Sequence, residues 1–287
     1  MNRLRSSIAL LFILPFALLA CSDDEATPEA TATAATATAT GAATDVATAE
    51  PTLASGSIVV SAASSLTDAF TEVAVAFEAT NPGVTVDLNF GSSSELATQI
   101  VEGAPAEVFA SANEAQMAVV IDAGVAEVAE IFAQNVIVVA VPADNDSVQA
   151  FEDIAADGVR LVLAGVDVPV GDYARRAISA ASTAGVYGAD FQSRVLANVV
   201  SEEPNVRAVL AKVELGEADA GIVYATDASI SGDAVRVVEV PAEYSTPAVY
   251  PIAAVGENPS EQALAFVAFV LSQEGQAILA GFGFAAP

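Results

Sequence analysis

The chain has 287 residues, 9 basic and 37 acidic side chains, a formal net charge of −28 at pH 7, no His, no Trp and a single Cys. Without His it lacks the commonest general base and the commonest transition-metal ligand, which excludes a Ser–His or Cys–His hydrolase and a His-ligated zinc site. The acidity argues against nucleic acid as a partner, because that needs clustered Lys and Arg; its plain reading is a solvated surface that maintains solubility.

The chain order begins with a positive start at Arg3 and Arg5, followed by an apolar run from Ile8 to Leu19 that is too short to span a bilayer comfortably. Leu18-Leu19-Ala20-Cys21 resembles the lipobox of bacterial lipoproteins, which implies a signal peptide over 1–20 and a diacylglycerol on the sulfur of Cys21. The alternative is an ordinary signal peptide with an incidental Cys. Cleavage removes two positive charges and no acidic ones, taking −28 to about −30. One lipid group anchors a chain to a membrane without making it span, so the expected location is the extracytoplasmic face of the cell membrane. Residues 21–55 form an Ala/Thr/Pro-rich stretch without apolar periodicity, expected to be a disordered tether. As a flexible coil it reaches roughly 30–35 Å.

From Gly56 onward strands and helices alternate. Ser57–Ser61 reads as a short buried strand, and Leu66, Phe70, Val73 and Phe77 follow at helical spacing. Asn81-Pro82-Gly83 ends that helix, Val84–Phe90 alternates as a strand, and Ser94 onward returns to helix through Leu96, Ile100 and Val101. Ala106–Ser111 is strand-like, and Gln134–Pro142 reads as one long apolar strand leaving the first lobe. Arg160–Ala164 and Gly221–Tyr224 look like strands of a second unit. Tyr250–Val255 carries the chain back, and a helix from Glu261 to Leu279 completes the first lobe. The fold expected is α/β and two-lobed: two mixed sheets flanked by helices, joined by a hinge of two crossing strands. One lobe takes 56–136 plus 250–287 and the other takes 137–249.

Four short stretches place Ser or a small residue just before an amphipathic helical pattern: Ala63–Thr67, Gly91–Leu96, Val168–Tyr173 and Pro204–Arg207. Each helix start carries unpaired N–H groups and about half a positive charge, so four converging starts face a dianion with roughly two positive charges and no Lys or Arg. Any one of these serines taken alone is a helix cap, and a lone Tyr224 after an apolar strand is a core-edge tyrosine. Arg175, Arg176 and Arg207 read as surface charges, and Gly171 and Gly221 as turn or packing residues. The set occurring together points to oxyanion binding.

Ala62–Thr67, Gly91–Ser94, Gly103–Ala112 and Gly221–Ala228, in this order, resemble the molybdate-binding proteins of bacterial ABC uptake transporters, with a type II periplasmic-binding-protein fold. The similarity runs from about Gly56 to the C-terminus. It implies ligand contacts from the hydroxyls of Ser65, Ser93 and Tyr224 and the backbone N–H groups of Val170 and Val206. Val170 stands where the family usually has Ala, and Glu107 where Asp is expected. The resemblance further implies a non-enzymatic monomer that binds molybdate or tungstate as the oxyanion, with no cofactor and no free metal cation. Its partners would be an ABC permease and ATPase. Donors alone suit molybdate, tungstate and sulfate, which are fully deprotonated at neutral pH; phosphate keeps a proton and gains from a carboxylate, and Asp68 and Asp172 lie near the site in sequence. Sulfate remains the alternative ligand, since only the resemblance selects molybdate.

Overall fold

Alternation of Ile58, Val60 and Ala62 buries one face of β1 (Gly56–Ala63), and the chain then turns through a single 3₁₀ turn, Ser64–Leu66, into α1 (Thr67–Thr80). The structure, a computed structural model, describes residues 53–287; the expected signal peptide, Cys21 and the tether up to residue 52 lie outside the described residues. The helix α1 buries Phe70, Val73 and Phe77 at the anticipated spacing. Next, β2 (Val84–Gly91) pairs in parallel with β1 along its whole length, Gly56 opposite Val84 and Ala63 opposite Gly91. Then come α2 (Ser93–Val101), β3 (Val108–Ala110), α3 (Glu114–Asp122) and β4 (Glu130–Asn135).

The long strand expected over 134–142 is two strands in two sheets. It breaks at Val136, whose N–H is taken by the Asn135 side-chain oxygen at 2.9 Å, and β5 (Ile137–Pro142) continues in the second sheet. The apolar run hides this change because β5 is buried at every residue, so its letters do not alternate. The second sheet adds β6 (Leu161–Ala164), followed by α4 (Pro169–Ala184), α5 (Phe191–Ala197), β7 (Val199–Glu203) and α6 (Val206–Glu214). It ends with β8 (Ala220–Tyr224), α7 (Ala225–Ile230) and β9 (Val235–Glu239), after which 240–247 leads back to the first sheet as β10 (Ala248–Ala254).

The sheet orders are β2-β1-β3-β10-β4 and β7-β6-β8-β5-β9. In each, one strand that follows a crossing, β10 or β5, runs antiparallel to both neighbours, so both sheets are mixed, as the expected fold has them. The final helix expected over 261–279 is two helices, α8 (Glu261–Leu271) and α9 (Gln273–Gly281), bent by 60°. Ser272 adopts an extended backbone there and its hydroxyl caps Gly275 N–H at 3.2 Å. Only glycine fits at 275, since a Cβ would lie 2.2 Å from the Phe269 carbonyl oxygen. Among the described residues no single helix is long and apolar enough to cross a membrane. Below the first sheet Phe70 meets Phe132 at 5.6 Å and Phe266 at 6.1 Å, and Phe77 meets Phe266 at 5.2 Å between ring centroids. Such tilted and edge-on pairs contribute about 0.5–1.5 kcal/mol each beyond their area, and they hold α1 on its sheet.

Candidate functional site

Every helix start singled out in the sequence follows the carboxyl end of a parallel strand, the position where sheets of this kind present ligands. β1 leads to the Ser64 turn, β2 to α2, β6 to α4 and β7 to α6, while β8 ends on Tyr224 at the N-cap of α7. Ser65, Ser93, Val170, Val206 and Tyr224 all line one small cavity, with about 10 Å³ of room for the centre of a water-sized body. That is about the space one water needs, far below the roughly 300 Å³ and more of pockets for drug-sized ligands, so the cavity suits a small compact ligand.

Each donor is held in place by its neighbours. Ser92 is the N-cap of α2, so Ser93 becomes its first residue, one position earlier than the Ser94 start expected; the Ser93 Oγ accepts Ala112 N–H at 3.0 Å. With its lone pair used this way, the Ser93 proton is left for the cavity. Ser65 Oγ lies 3.0 Å from Tyr250 Oη, and both residues are buried. Val170 follows Pro169, a residue that suits the first helical position because its missing N–H has no partner there anyway. Gly171 allows this start to press against the preceding loop, because a Cβ would sit 2.1 Å from the Gly165 carbonyl oxygen. At α6 the Asn205 side chain caps Ala208 N–H at 3.0 Å, which leaves the amide of Val206 in the uncapped first turn.

Tyr224 is 1% exposed and its hydroxyl has no hydrogen-bond partner among the described residues. Burial pushes its phenol well above the usual range, so it stays protonated and able to donate. Unpartnered buried hydroxyls are uncommon in folded proteins.

Among the described residues no charged side chain lines the cavity. Arg207, beside Val206, bonds Asp68 at 2.6 Å and Asp227 at 2.6 Å, so it is a bridge from α6 to α1 and α7 rather than the free surface charge expected. Burial drives Asp227 up to about 6 even against the guanidinium. Arg175 pairs with Glu202, and Arg176 with Asp172 at 3.2 Å. The two carboxylates near the site in sequence, Asp68 and Asp172, are thus both engaged by arginines. Glu107 accepts from Val59 N–H at 3.0 Å and Ser260 Oγ at 3.1 Å, tying β1 to the start of α8. Among the described residues no group of three or more Cys, Asp or Glu side chains could hold a metal ion. Sequence reasoning missed Tyr250, whose hydroxyl lies behind Ser65. No local pattern marks it, since it is 185 residues from its serine.

A small cavity walled by strand-to-helix junctions from two mixed sheets is the architecture of a solute-binding protein. The comparisons agree, and the chain belongs to the bacterial extracellular solute-binding proteins, a family that it matches over residues 58–285. It is 42% identical to the molybdate-binding protein ModA of Mycobacterium tuberculosis over 243 residues, covering 83% of this chain and 88% of the relative. The solved substrate-binding domain of a putative molybdenum ABC transporter from Clostridium difficile is 28% identical, with a TM-score of 0.60 over 80% of this chain and 99% of that one. The sulfate-binding protein SubI of M. tuberculosis superposes with a TM-score of 0.72 at 22% identity, over 80% of this chain and 86% of that one, and shares the fold.

Proposed function

We propose that this chain captures molybdate, and tungstate with it, outside the cytoplasm and delivers it to an ABC import permease with its ATPase. The observation that carries the reading is the buried, unpartnered hydroxyl of Tyr224 facing a cavity walled by uncharged helix starts. Ser65, Ser93 and Tyr224 give hydroxyl protons, and Val170 and Val206 give backbone N–H groups. An anion that only accepts hydrogen bonds satisfies all five, whereas hydrogen phosphate brings a proton for which no carboxylate is at hand. Neutral donors also favour release, because a buried Lys or Arg would be left unpaired when the ligand departs.

Molybdate is chosen over sulfate on the 42% identity to a molybdate-binding protein; the sulfate-binding neighbour supports the fold alone. In this reading the protein is a non-catalytic monomer. Its lobes are 56–136 plus 250–287 and 137–249, they close on the ligand, and a lipid on Cys21 holds the chain to the membrane. The test is calorimetric titration of the chain from Ser22 with molybdate, tungstate, sulfate and phosphate. Tight binding of the first two, with sulfate at least about a hundredfold weaker, is the expected result. Preference for sulfate or phosphate overturns the ligand, and no binding of any of the four overturns the site.

A further inference from the structure

The contact between Ser65 and Tyr250 has two oxygens 3.0 Å apart and, between them, room for only one of two protons. If Ser65 donates to Tyr250, the serine shows the cavity nothing but lone pairs, which repel an oxyanion. If Tyr250 donates to Ser65, the serine proton is free for the ligand. Distance alone does not choose between these two arrangements.

The surroundings of Tyr250 make the choice. Tyr250 is fully buried, and among the described residues the hydrogen-bond partner of its hydroxyl is Ser65 Oγ. If Ser65 donated, the phenol proton would be left without an acceptor inside the protein; if Tyr250 donates, the serine proton turns to the cavity that Ser65 lines, where a bound anion accepts it. The geometry points to Tyr250 as the positioning residue that sets Ser65 as a donor toward the ligand. Ser93 obtains the same polarity from the backbone N–H of Ala112. The two serines therefore present protons for different reasons, one through main chain and one through a tyrosine that can be substituted.

This inference rests on the molybdate reading, and one set of titrations separates the two. Tyr250→Phe keeps the ring, which packs on Tyr224 at 5.8 Å, Phe132 at 6.2 Å and Phe284 at 5.5 Å, and removes only the hydroxyl. Molybdate affinity is measured by calorimetry in wild type, Tyr250→Phe, Ser65→Ala and the double variant, with the unfolding temperature of each. Tyr250→Phe is expected to weaken binding about tenfold, and to add less than about twofold once Ser65 is Ala. A merely structural tyrosine gives penalties that multiply, and that result overturns the inference. So does full affinity in Tyr250→Phe. If wild type itself does not bind molybdate, the ligand reading fails rather than the role of Tyr250. Should Tyr250→Phe not fold, Tyr250→Met removes the same hydroxyl with a more adaptable side chain; a loss of affinity that vanishes in the Ser65→Ala background supports the inference, and one that persists there overturns it.

Discussion

The two walls of the cavity are built from different parts of the amino acid. The wall from the first sheet offers side chains, Ser65 and Ser93, each fixed by a bond to a neighbour. In the proposed reading the wall from the second sheet offers main chain at two valines, whose side chains have no hydrogen-bonding chemistry at all, and one tyrosine from the end of β8. A hydroxyl donor depends on residue identity; an amide donor depends only on where a helix begins. Substitution should therefore act in opposite ways on the two walls.

The largest effect is expected at Ser93. Alanine removes a donor to the ligand and also leaves the Ala112 N–H without its acceptor inside a fully buried contact. The lost hydrogen bond to a charged ligand costs up to about 3 kcal/mol, or about a hundredfold in molybdate affinity by calorimetry, while the unpaired Ala112 N–H lowers the stability of the fold. A loss below about threefold would mean that this wall does not hold the ligand through its hydroxyls.

Next in size is a pH effect that separates the two carboxylates holding Arg207. Asp227 is fully buried and raised from 3.8 to about 6 by loss of water, whereas Asp68 sits on the first wall with its side chain 40% exposed. A folded-state value above the unfolded one means that ionisation opposes folding. The stabilising contribution is thus whole below about pH 4 and is lost as pH rises through about 6, by roughly 2–3 kcal/mol. Chemical denaturation of wild type and Asp227→Asn from pH 4 to 7 should show wild type losing that much relative to the variant. A difference that stays flat with pH would place Asp227 at an ordinary carboxylate value.

The second wall is probed by an amide deletion. Val206 is the first residue of α6 and its predecessor Asn205 is extended, the setting that proline accepts. Val206→Pro should keep the fold, seen as an unchanged circular dichroism spectrum, and weaken molybdate about tenfold; Val206→Ala should change affinity less than about threefold. Equal losses from both would show that the valine side chain matters, and the contrast between the walls would fail.

These contrasts explain what was legible in the sequence. Ser65 and Ser93 stand out because a hydroxyl precedes an amphipathic helix, and Val170 and Val206 emerge only from the position of their helices. Tyr250 carries no local signal, since its place beside Ser65 arises from strand pairing between distant segments, with Tyr250 opposite Ala133. The alternation of strands and helices made the fold class readable. The change of sheet at Val136 was not, because a strand buried on both faces and the strand before it merge into one apolar run. The break at Ser272 was hidden likewise, as α8 and α9 keep one apolar character through a 60° bend. Edge strands β7 and β9, short and half exposed, offered too few buried positions to register.

Arg207 makes an ion pair from the second wall to Asp68 on the first, and Gln116 adds a hydrogen bond to the Asp167 carbonyl at 3.2 Å. In the proposed closure this half-exposed ion pair is one polar tie among several, alongside Val249 N–H donating to Tyr173 Oη at 3.3 Å and Asn135 Nδ2 donating to Thr226 Oγ1 at 2.8 Å, so Asp68→Asn should weaken molybdate only about threefold, read as a faster dissociation rate in stopped flow. No change in that rate would make the pair incidental to closure.

The smallest effect concerns arrival rather than holding. A chain with a formal charge of −28 repels a dianion at long range, yet among the described residues no charged side chain lines the cavity. The Debye length falls from about 30 Å at 0.01 M salt to about 8 Å at 0.15 M, so salt removes the distant repulsion while the helix starts act at contact, where screening is weak. The association rate should accordingly rise about twofold over that range, and the dissociation rate should stay nearly constant. A neutral cavity inside an acidic shell predicts this pairing of a salt-sensitive approach with a salt-insensitive release. A steep fall in association with salt would require a net positive field at the cavity mouth, which the pairing of Arg207, Arg175 and Arg176 with carboxylates does not provide.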